Sequence, residues 1–201
     1  MSFRFDNFRW SLVACFALLA LCGNATAVEG KKARGEFAMM FGFLDGMTID
    51  AHAKDSGFYD TSLDSDMGWS AGVSFDQGVY RSIWLGLTID LFQLRKEVFG
   101  MDATAKAMNP ALRLSVHYQP TGSNWSFRPG VACGVALVEE ILEFKNSQYV
   151  TLRPFLQIVC HLTPQTGLLV ETSMLRTLRG GNDNYDIEAG PAFGLRIGLL
   201  K

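Results

Sequence analysis

Residues 83–91 read Ile83-Trp84-Leu85-Gly86-Leu87-Thr88-Ile89-Asp90-Leu91. Ile83, Leu85, Leu87, Ile89 and Leu91 fall on one side of a chain with period two. Trp84, Gly86, Thr88 and Asp90 fall on the other. Strict alternation of this kind is the mark of a β-strand, because successive side chains of a strand point to opposite faces. Residues 111–118 repeat it, with Leu112, Leu114, Val116 and Tyr118 against Ala111, Arg113, Ser115 and His117. So do residues 150–162 and 187–199. The rule holds less cleanly in 36–46, 67–75, 125–138 and 167–176. The expectation is eight strands of roughly nine to thirteen residues, the length a tilted strand needs to cross a hydrocarbon layer.

The connections between these strands alternate in character. Asp76-Gln77-Gly78, residues 119–124 and residues 163–166 are short and rich in turn residues. Residues 47–66, 96–108, 139–148 and 178–185 are longer or more polar. Short turns on one side and long loops on the other describe an up-and-down barrel. The 201 residues are 48% hydrophobic and 19% charged, enough apolar content to exclude a disordered chain. A net charge of −2 gives no basic field for nucleic acid. No apolar run approaches the ~18 residues of a membrane helix.

The N-terminus carries Arg4 and Arg9, an apolar stretch over residues 12–22, and Ala25-Thr26-Ala27. That is the layout of a secretory signal peptide over residues 1–27, cut after Ala27, with one domain over residues 28–201. Export removes Cys15 and Cys22 and leaves Cys133 and Cys160 in a compartment where a disulfide is allowed.

Soluble barrels and sandwiches also alternate, but with the apolar face inward. Here one face is continuously bulky and the other is rich in Gly, Ala, Ser and Thr, including Gly86, Gly130, Gly134, Gly190, Gly194 and Gly198. An eight-stranded barrel encloses little space, so the bulky face is expected to meet lipid. Phe75, Tyr80, Tyr118, Trp125 and Phe127 cluster near the short-turn ends, as an interfacial girdle requires. The chain from Glu36 to Lys201 therefore resembles the small eight-stranded outer-membrane barrels of the outer-membrane protein A and X type. The resemblance rests on pattern rather than on a motif, and the chain ends in Leu200-Lys201 instead of an aromatic residue. It implies an all-β, antiparallel, up-and-down transmembrane barrel in the outer membrane of a Gram-negative bacterium.

The face opposite the apolar one carries Asp90, Arg113, His117, Arg128, Arg153, His161, Glu171, Glu188 and Arg196. Charges inside a narrow barrel must pair. Turn centres place Asp90 near Arg113, Arg128 near His161 and Glu171 near Arg196, as a polar network filling the lumen. Cys133 and Cys160 are expected at similar height on adjacent strands, where either a cross-strand disulfide or two small apolar fillers fit. Pro129, Pro154 and Pro191 are expected at strand ends or bulges, since proline lacks a ladder donor. No triad is recognisable, and no metal or cofactor is called for. His52, beside Asp50 and Asp55, lies in the acidic 47–66 loop.

The expected role is non-enzymatic: structural or surface-interacting, in envelope integrity or adhesion. The alternatives are a small passive pore, a lipid-modifying enzyme such as a lipid A deacylase, and a soluble periplasmic β-barrel binding protein. The expected partners are outer-membrane lipid and lipopolysaccharide, the barrel-assembly machinery and an external ligand at the 47–66 loop, with no nucleic acid.

Overall fold

The computed structural model describes residues 35–46, 48–53, 60–64, 66–98, 101–141, 144–181 and 185–201. The expected signal peptide and its cut after Ala27 lie outside them. The described residues form β1 (Gly35–Asp45), β2 (Thr48–Ala53), β3 (Asp60–Asp64), β4 (Asp66–Tyr80), β5 (Ile83–Val98) and β6 (Met101–Val116). They continue with β7 (Trp125–Ile141), β8 (Phe144–His161), β9 (Gly167–Gly181), β10 (Tyr185–Ala189) and β11 (Ala192–Leu200).

These segments make eight walls. β1 and β2 form one wall, interrupted after Asp45 where Gly46 takes a φ of 84°. β10 and β11 form another, interrupted at Gly190-Pro191. The register shows the continuity: Asp45 faces Phe193 and Ile49 faces Ala189, with no slip between. β3 and β4 continue each other in the same way, since Leu44 faces Gly68 and Thr48 faces Asp64. All pairings are antiparallel between neighbours in sequence. β11 closes the barrel by pairing with both β9 and β1. Phe37 and Lys201 exchange both backbone hydrogen bonds at the seam, at 2.7 and 2.8 Å.

The apolar face points outward. Along β1, Phe37, Met39, Phe41 and Phe43 are exposed while Ala38, Met40, Gly42 and Leu44 are buried. Along β11, Phe193, Leu195, Ile197 and Leu199 are exposed, and Arg196 between them is buried. A soluble protein would not leave so much contiguous apolar area uncovered. Tyr80, Tyr118, Trp125 and Phe127 are exposed at the short-turn end.

Three expectations about connections change. The turn after β4 sits at Arg81-Ser82, not at 76–78, because β4 continues through an irregularity between Gly78 and Tyr80. Arg81 there adopts a φ of 45°. The expected loops over 96–108 and 139–148 are mostly paired strand, with Val98 facing Met101 and Ile141 facing Phe144. The 47–66 segment likewise contains β2 and β3, and β9 runs to Gly181. One end of the barrel is therefore prolonged into paired-strand arms. Gly190 lies at the β10–β11 break rather than in the lumen.

Pro191 stands at the break between β10 and β11, at strand ends as expected, but the other two prolines are corrected. Pro129 and Pro154 lie inside β7 and β8 rather than at their ends. The ladder gives way beside them instead. No bridge joins β8 to β9 between Leu152–Arg176 and Phe155–Ser173. Pro110 inside β6 does the same toward β7, between Met108–Leu137 and Ala111–Gly134. A missing donor is tolerated because the neighbouring strand on the other side still pairs, as in Pro110–Ile89.

Candidate functional site

The inward positions of the eight walls meet in the lumen, and their side chains form layers. The middle layer is ionic. Glu171 and Arg196 face each other across β9 and β11. The Arg196 guanidinium contacts both Glu171 and Asp90, and its Nε donates to Glu171 Oε1 at 3.1 Å. Arg153 Nη1 lies 2.9 Å from the other oxygen of Asp90. Arg113 Nη2 lies 3.6 Å from Glu171 Oε2, and Arg113 Nε lies 3.5 Å from Asp76 Oδ1. The charges thus alternate in sign from Arg153 through Asp90, Arg196, Glu171 and Arg113 to Asp76. Asp90 and Glu171 are 0% exposed.

Neutral groups complete the layer. Gln157 donates to Glu171 Oε2 at 2.8 Å, Thr88 Oγ1 is 3.3 Å from Asp90 Oδ2, and Thr151 donates to Asn109 at 2.9 Å. The Arg113 guanidinium stacks over the Phe155 ring at 4.3 Å, a cation–π contact that helps offset its burial. Three arginines and three carboxylates leave the layer without net charge, as a low-dielectric interior demands.

Buried apolar side chains lie on both sides of this layer. Toward the arms, Leu44, Phe92, Val138, Tyr149 and Leu175 are buried. Toward the short turns, Ala38, Met40, Val159, Leu169 and Leu200 form a buried cluster.

The short-turn mouth holds a second polar group. Arg128 forms an ion pair with Glu36. Its Nε donates to Ser126 Oγ at 3.3 Å, and Ser126 Oγ bonds His161 Nε2 at 3.0 Å. His117, just past the end of β6, stacks on Trp84 with ring centroids 4.1 Å apart and bonds Ser115 Oγ at 3.2 Å. Burial, together with the nearby Arg128 and Arg113 guanidinium groups, pushes its imidazole down to about 3.

Several expected proximities shift. Asp90 faces Asn109, and Arg113 faces Gly86, so Asp90 and Arg113 are not opposite. The reason is that Val98 already faces Met101, so the two strands turn before the centre of a loop over 96–108, and Asp90 meets position 109, four short of Arg113. Arg128 faces Gln157 in the ladder but approaches His161 as expected, with Ser126 Oγ in contact with both. Glu188 stands in β10, across from Asp50 in the arm; its side chain lies outside the described residues. Sequence reasoning missed Glu36 and Asp76 as ion partners. Glu36 precedes the first outward aromatic, Phe37, in the inward phase of β1, which was the available signal.

The cross-strand disulfide is not formed. Cys133 and Cys160 are free, with Cys133 facing Leu152 and Cys160 facing Trp125. Residues 152 and 160 of β8 are about 26 Å apart along the strand, far beyond disulfide reach. Among the described residues, no group of His, Cys, Asp and Glu has the geometry of a metal site.

No protein-family model matches the chain, and no curated relative matches it. Solved structures do. The outer membrane protein OprG of Pseudomonas aeruginosa is 14% identical, with a TM-score of 0.60 over 84% of this chain and 96% of that one. Neisserial surface protein A is 13% identical, with a TM-score of 0.56 over 85% and 98%. The chain has the fold of the small outer-membrane β-barrels. The outer membrane protease OmpT of Escherichia coli is also similar, at 11% identity and a TM-score of 0.51 over 88% and 99%. At these identities the likeness is one of fold, so the chemistry of this barrel rests on its own residues.

Proposed function

We propose that the chain is a non-enzymatic outer-membrane barrel with a structural or surface-interaction role, delivered by export and cleavage after Ala27. Its apolar exterior fits outer-membrane lipid and lipopolysaccharide, and insertion calls for the barrel-assembly machinery. The short turns and both described ends of the chain face the periplasm, and the arms face outward, where a ligand or neighbouring surface is met. The carrying observation is the buried, charge-balanced ionic layer, flanked on both sides by buried apolar side chains. A conducting lumen needs a path lined by water and partial charges. Here each arginine of the layer lies within ion-pair distance of a carboxylate, which supports the barrel as a rigid anchor for its arms.

The test is planar-bilayer recording of the refolded protein, paired with heat-modifiable mobility of the membrane-fraction protein. Folded, heat-shifting barrels that give no single-channel steps support the reading. Clear steps overturn it in favour of a pore. Lipid A altered in mass by expression of the chain overturns it in favour of an enzyme. A purely soluble periplasmic chain overturns the membrane placement itself.

A further inference from the structure

The lipid-facing surface carries cations as well as apolar side chains. Along β9 toward the arm, the outward positions run Leu168, Val170, Thr172, Met174, Arg176 and Leu178. Arg176 is exposed and stands opposite Leu152 of β8. Leu178 and, on β8, Val150 lie nearer the arm and are exposed apolar side chains. The guanidinium therefore leaves the wall inside the apolar surface, close to its arm-side margin. Lys106 marks the same margin three walls away. It is exposed and faces Gln93 of β5. Gln93 Oε1 accepts a hydrogen bond from Trp69 Nε1 at 3.0 Å, which leaves the amide nitrogen as a donor on the row of Lys106. Leu91 and Met108, the next outward positions toward the membrane centre, are apolar. Among the residues whose side chains are described, neither Arg176 nor Lys106 has an ion pair.

A cation on the lipid face of a barrel is costly, and more so the deeper it lies. A long basic side chain escapes the cost by reaching an anion at the headgroup level. The residue types narrow that anion. A guanidinium presents a planar fork that matches two phosphate oxygens, and an ammonium beside an amide offers several donors to one phosphate. With the arms facing outward, the lipids at this margin are those of the outer leaflet. We propose that Arg176 and the Lys106–Gln93 pair each hold a phosphate monoester of lipid A, the phosphorylated glycolipid that anchors lipopolysaccharide. β6 and β9 lie on different sides of the barrel, so the two sites take separate lipid molecules. Trp69 fixes the Gln93 amide, and its stack with Phe41, ring centroids 6.3 Å apart, lies on the same outward surface. This assignment rests on the outward placement of the arms and adds the headgroup chemistry that the barrel recognises there.

The experiment uses the full-length barrel refolded in detergent and titrated with lipid A, with retained lipid counted by native mass spectrometry. Dephosphorylated lipid A and phosphatidylglycerol are titrated in parallel. Two retained lipid A molecules are expected, with both comparison lipids about 10-fold weaker or more. Arg176→Gln and Lys106→Gln are each expected to remove one, and the double variant both, with heat-modifiable mobility intact. Arg81→Gln, at a short turn, is expected to retain both. Should Arg176→Gln fail to fold, Arg176→Lys keeps the charge and loses the fork, and weakened lipid A is expected there. Equal retention of dephosphorylated lipid A overturns the proposal. So does undiminished retention by a folded double variant, and so does phosphatidylglycerol held as tightly as lipid A, which marks general headgroup contact. Protease treatment of intact cells checks the placement separately. Arms cut only after the outer membrane is opened overturn the placement, whatever the detergent titration shows.

Discussion

Arg196→Met tests whether the ionic layer holds the barrel together. Arg196 is 2% exposed and contacts both Asp90 and Glu171. Methionine keeps much of the length and removes the charge. Asp90 then retains Arg153 at 2.9 Å, and Glu171 retains Arg113 at 3.6 Å with Gln157 at 2.8 Å. The layer changes from neutral to one net negative charge. Removing one partner of a buried pair costs about 3–5 kcal/mol. Because both carboxylates keep another arginine, the loss is expected near the lower bound, about 3 kcal/mol. That is roughly two decades in the unfolding equilibrium. Arg196→Met combined with Glu171→Met restores neutrality, leaving Arg153 with Asp90 and Arg113 with Asp76. The double variant is therefore expected to recover about 1–2 kcal/mol over the single one. The assay is reversible denaturant unfolding in lipid vesicles, followed by tryptophan fluorescence. A single-variant loss below about 1 kcal/mol would falsify the reasoning. A double variant less stable than the single one would do the same.

Three further outcomes are expected. His117 titrates near 3 in the folded barrel against 6.5 when unfolded, so the unfolded chain takes the proton first. Stability is complete above pH 6.5 and falls as pH drops toward 3; thermal unfolding in detergent should show the decline, and His117→Phe should flatten it over pH 6.5 to 5. An identical slope in that variant removes His117 as the cause. A Cβ on Gly72 would run into the Asp90 carboxylate and the Arg196 guanidinium, so Gly72→Ala should cost about 1–3 kcal/mol in the same unfolding assay. Unchanged stability there means the layer has room to give. Cys133 and Cys160 should both alkylate in denaturant without reductant, and gel mobility should be the same with and without it; a reductant-dependent shift contradicts the register of β7 and β8.

The barrel wall was legible from alternation because a lipid-facing strand contrasts bulky apolar residues with small or polar ones at every step. Residues 83–91 and 192–200 show this contrast plainly. Residues 96–98, 101–106, 139–141 and 144–148 lose this contrast in sequence while remaining strand. That is why paired arms read as loops. Register was less legible still. Period two states which face a residue takes but not its height, and an error at one hairpin tip moved Arg113 four residues from its true row. Glu171 and Arg196, expected within side-chain reach of each other, are directly paired. Asp76 was hidden by its neighbours Gln77 and Gly78, which look like a turn. Ser126, the group joining Arg128 to His161, has no sequence signature, since small polar residues occur along every inward face.

The paired arms make the outer end tolerant of length in a particular arithmetic. Adding one residue to each side of a hairpin tip leaves every row below it in step, so the ionic layer is untouched. Adding a residue to one side only inverts the facing of everything between it and the next turn. Balanced insertions at 98–101 or 141–144 should therefore vary how far the protein reaches while its anchorage stays constant. Reach and anchorage can diverge independently between related chains, and foreign peptides can be grafted at those tips without redesigning the wall.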